Sequence, residues 1–397
     1  MRTINHEDSY FIVILAMLGA LPPLATDTYT PAIRQISDYF LISQSSVMLS
    51  ITTYFIGFSL GMLIWGPFSD FYGRKKALIS GIGLYLISTI ICSFSWNYEV
   101  LLLMRFFQGI SDSAGVVVAL AIARDCYSGK KLTTVMASVM IVQMIAPICA
   151  PIIGSFLVVF TGQWQNIFHF LTIYGAILFF FIFFLKETHP KHQRHKSILT
   201  NISFYKVHLL NIDFILKSLI SGLCFAGFFS FIGSSSIIYL SNFSVNYLLY
   251  CLLFALNILG MVAANMLLKY KLHVFNENTI IRFGYIGLVI GLILSFIFNA
   301  LYNNVYLFTL GIMLMTFGFG VISIIYSSAA LSSVSSGFGV ATSISNFIKF
   351  FLGGVASFLM SYSSVENIIT DLSIQQLGIV IITMIFFVYL RYFYVNK

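Results

Sequence analysis

Long apolar runs follow one another along almost the whole chain, and short polar segments separate them. Each run has about 20 residues or more, the length that an α-helix needs to cross the hydrocarbon core of a bilayer. An all-α integral membrane protein is therefore the expected fold class, because a helix satisfies its own backbone groups in lipid. The pattern predicts twelve spans, at residues 9–31, 44–66, 77–96, 98–122, 133–160, 165–185, 213–240, 245–268, 280–299, 305–327, 338–361 and 374–393.

One connector is much longer than the others and divides the predicted spans into two sets of six. It is rich in Lys, Arg and His. Two sets of helices are typical of transporters built from repeats. We therefore expect an N-terminal six-helix half at residues 1–185, a cytoplasmic central loop at 186–212 and a C-terminal six-helix half at 213–397.

The composition excludes the soluble classes of protein. Of the 397 residues, 59% are hydrophobic and 9% are charged, whereas a soluble domain carries about 25% charge. A soluble enzyme, a nucleic-acid-binding protein and a disordered chain are therefore not expected. The five cysteines show neither a CxxC motif nor a Cys/His ligand spacing, so we expect no metal site and no cofactor.

The positions of the basic residues predict the orientation in the membrane. If the N-terminus is inside, 18 of the 21 Lys and Arg residues fall in inside segments and only Arg34 falls in an outside loop. Inside loops of membrane proteins carry such an excess, so we expect both termini and the central loop to be cytoplasmic. The first apolar run contains Asp27 and is followed by no A-x-A site, so we interpret it as a span rather than a signal peptide.

The segment between predicted spans 2 and 3 reads G-P-F-S-D-F-Y-G-R-K-K at residues 66–76. Its glycines allow a tight turn, Asp70 can cap a helix N-terminus, and Arg74 can pair with a carboxylate. A basic turn that only sets topology is the alternative. The segment resembles the signature G-x-x-x-D-x-x-G-R-K/R of the major facilitator superfamily. That resemblance implies a cytoplasmic gate formed by Gly66, Asp70, Gly73, Arg74 and Asp125, the last as the partner of Arg74.

Further motifs extend this resemblance through the first half. Span 4 carries R-x-x-Q-G from Arg105, and span 5 carries A-P-I-C-A-P-I-I-G-S at residues 146–155, similar to the antiporter signature. Ser155 replaces the last glycine of that signature. The D-x-Y-x-P segment that begins at Asp27, together with A-P-x-x-A-P, resembles the Bcr/CflA group of drug:proton antiporters. The resemblance implies the major facilitator fold of two six-helix bundles, and helix-bending roles for Pro147, Pro151 and Gly154.

Apart from residues at the edges of spans, four charged residues fall inside predicted spans: Asp27, Arg105, Asp112 and Lys349. A charge inside the membrane is costly, so each of them is a functional candidate. Asp27 lies between two prolines, which free backbone groups that cavity water or neighbours must satisfy. Burial favours the neutral form of its carboxyl group, as a proton carrier requires, and a structural helix cap is the alternative. Arg105 and Asp112 are seven residues apart on one helix face. Asp112 is either a second proton site or a structural partner of Arg105, which itself stays charged.

Lys349 is the fourth intramembrane charge, and three roles are open to it. It can snorkel, pair with an acid, or attract an anionic substrate group. Polar residues inside spans can line a substrate cavity or join helices to one another. The candidates for the substrate cavity are Thr26, Tyr29, Gln108, Ser111, Gln143, Asn257, Asn346 and Lys349.

Three functions are compatible with these residues. The leading one is a proton-coupled secondary active exporter of small organic compounds, a multidrug efflux antiporter that works by alternating access, with proton coupling at Asp27, Asp112 and Arg105. A dedicated exporter of an endogenous metabolite such as a siderophore is the alternative, and a non-transporting membrane sensor on a transporter fold is the second. We expect a monomer in the bacterial inner membrane, whose partners are protons, the substrate and lipid but not nucleic acid.

Overall fold

The computed structural model describes residues 9–190, 205–271 and 275–395. In these residues twelve helices are long and apolar enough to cross a membrane, which confirms the all-α membrane fold and the number of spans. Spans 1 to 12 are Tyr10–Phe40, Gln44–Tyr72, Arg74–Ser93, Tyr98–Cys126, Gly129–Thr161, Gln165–Phe184, Ile212–Asn242, Tyr247–Tyr270, Glu277–Tyr302, Val305–Ser332, Phe338–Met360 and Ile368–Tyr392.

The chain forms two compact units. The first contains the residues up to Leu41 and Thr53–Lys206, and the second contains Ile42–Thr52 and the residues from Val207 onward. The N-terminal part of span 2 thus belongs to the second unit. There, the hydroxyl of Ser241 donates to the side-chain oxygen of Gln44 over 2.7 Å.

Span 1 is interrupted near its middle. One helix covers Ser9–Asp27, a 3₁₀ turn covers Thr30–Ala32, and a second helix covers Ile33–Phe40. Pro31 has no N–H group, so the carbonyl of Asp27 cannot receive its normal helical bond. The hydroxyl of Thr30 donates to that carbonyl instead, over 3.0 Å. The sequence expectation that the span ends at residue 31 was therefore wrong, because the chain resumes as helix after the turn.

The connection between spans 2 and 3 is a single non-helical residue. Gly73 has a φ of +101°, a conformation that residues with a Cβ rarely adopt. Gly66 and Asp70, expected in a loop, instead lie within the helix that ends at Tyr72. The tight turn predicted from the glycines exists, but it is confined to Gly73.

Spans 2 and 4 approach each other closely within the first unit. A Cβ on Gly57 would lie 2.0 Å from the carbonyl oxygen of Phe106, and one on Gly109 would lie 2.0 Å from that of Tyr54. Small residues allow such backbone contact between membrane helices. This contact brings the part of span 2 around Tyr54 against the part of span 4 that carries Arg105.

Span 5 continues as one helix through both of its prolines. Pro147 and Pro151 lie inside the helix, which runs from Gly129 to Thr161. Gly154 has a packing role, because a Cβ there would lie 2.1 Å from the carbonyl oxygen of Thr28. Span 5 therefore packs directly against the interruption of span 1.

Candidate functional site

Arg105 is the centre of a buried polar cluster in the first unit, and its side chain is fully inaccessible to solvent. Its Nη1 donates to the carbonyl oxygen of Ala25 over 3.1 Å and to Oε1 of Gln108 over 2.7 Å. Gln108 in turn donates from Nε2 to Oγ1 of Thr89 over 2.8 Å, and Ser111 donates to the carbonyl of Gln108. Arg105 and Gln108 thus connect spans 1, 3 and 4. The substrate-binding role of Gln108 and Ser111 stays a prediction.

Three aromatic rings surround the Arg105 guanidinium. Its central carbon lies 4.7 Å from the ring centroids of both Tyr29 and Tyr54, and 5.9 Å from that of Phe168. A desolvated cation over an aromatic face is stabilised by about 2 kcal/mol. Tyr29 lies within the interruption of span 1, and this predicted cavity residue is in direct contact with the predicted coupling residue Arg105.

Asp112 is joined to this cluster through Tyr54. The hydroxyl of Tyr54 donates to Oδ2 of Asp112 over 2.5 Å, and both side chains are fully buried. No ion pair connects Asp112 with Arg105 in the part of the chain that the structure describes. Asp112 therefore reaches Arg105 through Tyr54, and its two expected roles, second proton site or structural partner of Arg105, both stay predictions. Sequence reasoning missed Tyr54, because nothing in the pattern separates it from the other 21 tyrosines.

Asp27 is the last residue of the first helix of span 1, and only 2% of it is exposed. Its Oδ1 accepts a hydrogen bond from the Thr26 hydroxyl over 2.8 Å. Thr26 also lies 3.0 Å from the carbonyl of Pro22. The negative end of a helix dipole disfavours a nearby anion, and so does burial. The proton-carrier role of Asp27 stays a prediction, and its side chain caps no helix N-terminus among the described contacts.

The predicted polar residue Asn257 lies in a second buried cluster, within the second unit. Its Nδ2 donates to the hydroxyl of Tyr239 over 2.9 Å, and that hydroxyl lies 2.9 Å from Oγ1 of Thr309. Oδ1 of Asn257 is buried and has no hydrogen-bond partner among the described residues. Tyr239 belongs to the π-helical turn Ile237–Asn242. Such turns are frequent at functional sites.

Lys349 lies in span 11 of the second unit and is half-buried. Its Nζ lies 4.6 Å from the ring centroid of Phe225. The expected pairing with an acid is not found in residues 9–190, 205–271 and 275–395.

Two further cavity candidates, Asn346 and Gln143, are also half-buried. Asn346 lies one helical turn before Lys349. Gln143 is half-buried in the first unit, where a Cβ on Gly19 would lie 2.9 Å from its Nε2.

Arg74, the first residue of span 3, binds two carboxylates, one near the end of span 2 and one near the end of span 4. Its Nε donates to Oδ2 of Asp125 over 2.9 Å, the pair that the resemblance implied. Its Nη1 contacts Oδ1 of Asp70 and also donates to Oγ of Ser69 over 2.7 Å. The expectation that Asp70 caps a helix was therefore wrong, because the side chain lies one helical turn from Arg74 and pairs with it.

Glu187 caps the N-terminus of span 3, a role that the sequence did not reveal. Its Oε1 accepts hydrogen bonds from the backbone N–H groups of Arg74, over 2.9 Å, and His189, over 3.1 Å. Burial, followed by the neighbouring Arg74 guanidinium, lowers the pKa of His189 from its ordinary value. The first residues of the predicted central loop are thus bound to the Arg74 cluster. Residues 191–204 of that loop lie outside the described residues.

Comparisons with known proteins agree with this architecture. The family model described as Major Facilitator Superfamily matches residues 15–358. The chain is 32% identical over 280 residues to the uncharacterized MFS-type transporter YdgK of Bacillus subtilis (strain 168), covering 70% of each chain. It is 31% identical over 267 residues to a bicyclomycin resistance protein homolog of Haemophilus influenzae, covering 66% of this chain and 67% of that one. The crystal structure of a D-xylose-proton symporter matches with a TM-score of 0.72 at 13% identity, over 94% of this chain and 96% of that one.

Proposed function

Because this chain belongs to the major facilitator superfamily, we propose that it is a proton-coupled exporter of small organic compounds, including drugs. It is a multi-pass membrane transporter of the Bcr/CflA type and not an enzyme. The relative named for bicyclomycin resistance supports drug efflux as its activity. In this proposal it acts as a monomer in the bacterial inner membrane, with both termini in the cytoplasm.

The observation that carries the proton-coupling proposal is the position of Asp27. Its carboxyl group is buried at the point where the first helix of span 1 ends. Breaks in membrane helices occur where the backbone lines a cavity or is covered by protein. Protonation of Asp27 from the outer side and its deprotonation towards the cytoplasm would alternate with the binding and release of the substrate.

Arg105 would link the protonation of Asp27 to the rest of the first unit. It binds the carbonyl oxygen of Ala25, two residues before Asp27, and contacts Tyr29, two residues after it. A movement of the interruption changes the surroundings of Arg105 directly. Asp112 would be the second protonatable group, connected with Arg105 through the ring and hydroxyl of Tyr54.

The cluster around Arg74 would act as the cytoplasmic gate. Arg74 binds Asp70 and Asp125, and the carboxylate of Glu187 binds its backbone N–H group. These contacts join the ends of spans 2, 3 and 4 with the segment that follows span 6. An arginine that binds two carboxylates orients such a cluster better than a lysine, because the N–H donors of its planar guanidinium have a fixed geometry.

The exporter proposal is tested by neutralising Asp27. In proteoliposomes with an imposed pH gradient, we expect Asp27→Asn to reduce gradient-driven efflux of a compound found in a susceptibility panel to the level of protein-free vesicles. Asp38→Asn is the matched control, because Asp38 is an exposed acid on the same span and its loss should leave efflux unchanged. Undiminished efflux by the Asp27→Asn protein would disprove its coupling role.

A dedicated metabolite exporter is the second candidate. Asp112 is not part of the antiporter pattern, yet it is fully buried and accepts a hydrogen bond from Tyr54. A buried acid outside that pattern favours a substrate that differs from those of the drug antiporters. A deletion strain that keeps its drug susceptibility but no longer secretes one metabolite would favour this candidate. Increased susceptibility to several unrelated drugs would favour multidrug efflux.

A further inference from the structure

Arg105 uses only part of its hydrogen-bonding capacity. A guanidinium carries five N–H groups, and the two on Nη1 are bound by Ala25 and Gln108. Nε and Nη2 are fully buried and have no hydrogen-bond partner in the described part of the chain. Three N–H groups of a cation inside the membrane are thus left without an acceptor.

This arrangement is unfavourable in the conformation described. A buried cation that lacks a counter-ion, and some of whose N–H groups lack acceptors, is disfavoured relative to the same group in water. The aromatic rings of Tyr29, Tyr54 and Phe168 offset part of this cost. They do not supply acceptors in the plane of the guanidinium, where its N–H groups point.

The acids of the first unit do not supply the missing acceptor either. Asp27 accepts its side-chain hydrogen bond from Thr26, and Asp112 accepts one from Tyr54. The ion pairs of the first unit that the described residues form involve Arg74 and not Arg105. An acceptor for Arg105 must therefore come from a rearranged carboxylate or from a bound molecule.

The two unpartnered nitrogens lie on one edge of the guanidinium. Nε and Nη2 present parallel N–H groups, the geometry that binds both oxygens of a carboxylate. We infer that Arg105 binds a carboxylate of the transported compound through Nε and Nη2, so that the substrates are aromatic or apolar organic anions. This inference rests on the proposed function and specifies its substrate class.

The aromatic surroundings define the rest of such a substrate. Tyr29 and Phe168 pack edge to face beside the guanidinium, with ring centroids 5.9 Å apart, and Tyr54 and Phe58 stack with centroids 5.9 Å apart. Planar apolar groups pack well against such rings. Because Arg105 is fully buried here, the carboxylate reaches it only after the helices around it have moved apart, as in a transporter that changes its accessible side.

Binding to the purified full-length protein tests the inference without a proton gradient. The probes are benzoate, 1-naphthoate and indole-3-acetate, each compared with its amide, which has nearly the same shape but no charge. We expect at least one carboxylate to raise the melting temperature and to bind about tenfold or more tightly than its amide, because charge-assisted hydrogen bonds are lost in the amide. Inorganic phosphate and sulfate, tested at the same concentrations, should not compete.

Arg105→Lys removes the paired N–H groups but keeps the positive charge, and it should abolish the preference for carboxylates. Arg124→Lys is the matched control, because Arg124 is an exposed arginine on the same span. If Arg105→Lys does not fold, the inference is still tested by comparing the binding of each carboxylate with that of its amide in the unmodified protein. Equal binding of both forms, binding of no carboxylate, or competition by phosphate would each overturn the inference.

Failure here is distinguishable from failure of the exporter proposal. A protein that exports neutral compounds in a gradient-dependent way, and that binds amides as well as acids, would keep the exporter function and refute the anionic substrate class. A protein that binds carboxylates selectively but transports none of the probes with a gradient would refute proton-coupled export instead.

Discussion

The hydroxyl group of Tyr54 has an unusual position among the buried polar groups of the first unit. Its ring contacts the guanidinium of Arg105, and its oxygen donates to the carboxyl group of Asp112. The other carboxyl oxygen of Asp112 has no hydrogen-bond partner among the described residues. One phenol thus connects a guanidinium group and a carboxyl group that are two helical turns apart and form no ion pair.

Removal of this hydroxyl is expected to destabilise the protein. Tyr54→Phe leaves both oxygens of Asp112 without a partner, and an unsatisfied buried acceptor costs about 1–3 kcal/mol. Tyr174→Phe is the control. The hydroxyl of Tyr174 donates to the backbone carbonyl of Met17, and without it that carbonyl still accepts a hydrogen bond from a backbone N–H group of its own helix. Thermal unfolding in detergent should show the larger decrease in stability for Tyr54→Phe. Equal decreases would mean that the contact with Asp112 adds nothing.

Charged residues of the site could be predicted from the sequence, but their neighbours could not. Asp27, Arg105 and Asp112 are conspicuous because few charged residues fall inside apolar runs. Tyr54 is one of 22 tyrosines, and its role depends on the close contact between spans 2 and 4. Glu187 follows span 6 along the chain but caps the N-terminus of span 3, a long-range contact that no local pattern contains.

At the scale of helices, the interruption of span 1 and the packing of span 5 belong together. The carbonyl of Thr28, inside the interruption, lies against Gly154. The residues after Pro31 resume as the amphipathic helix Ile33–Phe40, which contains Arg34 and Asp38. A rule based on apolar runs ended the span too early, because those polar residues dilute the pattern although the helix continues.

A methyl group at Gly154 should separate span 5 from span 1. Its carbon would lie 2.1 Å from the carbonyl oxygen of Thr28, so Gly154→Ala requires a shift of a backbone, and overpacking of this kind costs about 1–3 kcal/mol. Gly378→Ala is the control, since nothing lies within 4 Å of a Cβ there, and a gain of up to about 1 kcal/mol is expected. Only Gly154→Ala should lower both the melting temperature and the rate of gradient-driven efflux. Full activity and stability of that variant would contradict the close contact.

In the whole molecule the buried charges are distributed unequally. Within the described spans, the buried acids Asp27 and Asp112 lie in the first unit, whereas charged residues of the second unit such as Asp213, Lys349 and Asp371 are only half-buried. The proposed proton binding would therefore belong to side chains of the first unit, whereas the buried cluster around Asn257 in the second unit consists of neutral groups. This asymmetry was evident in the sequence, because it depends only on which residues fall inside spans.

The predicted orientation of the chain rests on the positions of its Lys and Arg residues and can be tested directly. With the cytoplasmic N-terminus that the 18-to-1 excess of inside Lys and Arg residues predicts, the turn after span 3 faces outward and the turn after span 4 faces inward. Trp96 and Ser128 are exposed residues of these two turns. In intact cells a membrane-impermeant maleimide should label Trp96→Cys, and it should label Ser128→Cys only after permeabilisation, with the unmodified chain as the control for its native cysteines. The opposite labelling pattern would reverse the topology and would move the Arg74 cluster to the outer side, where it could not be a cytoplasmic gate.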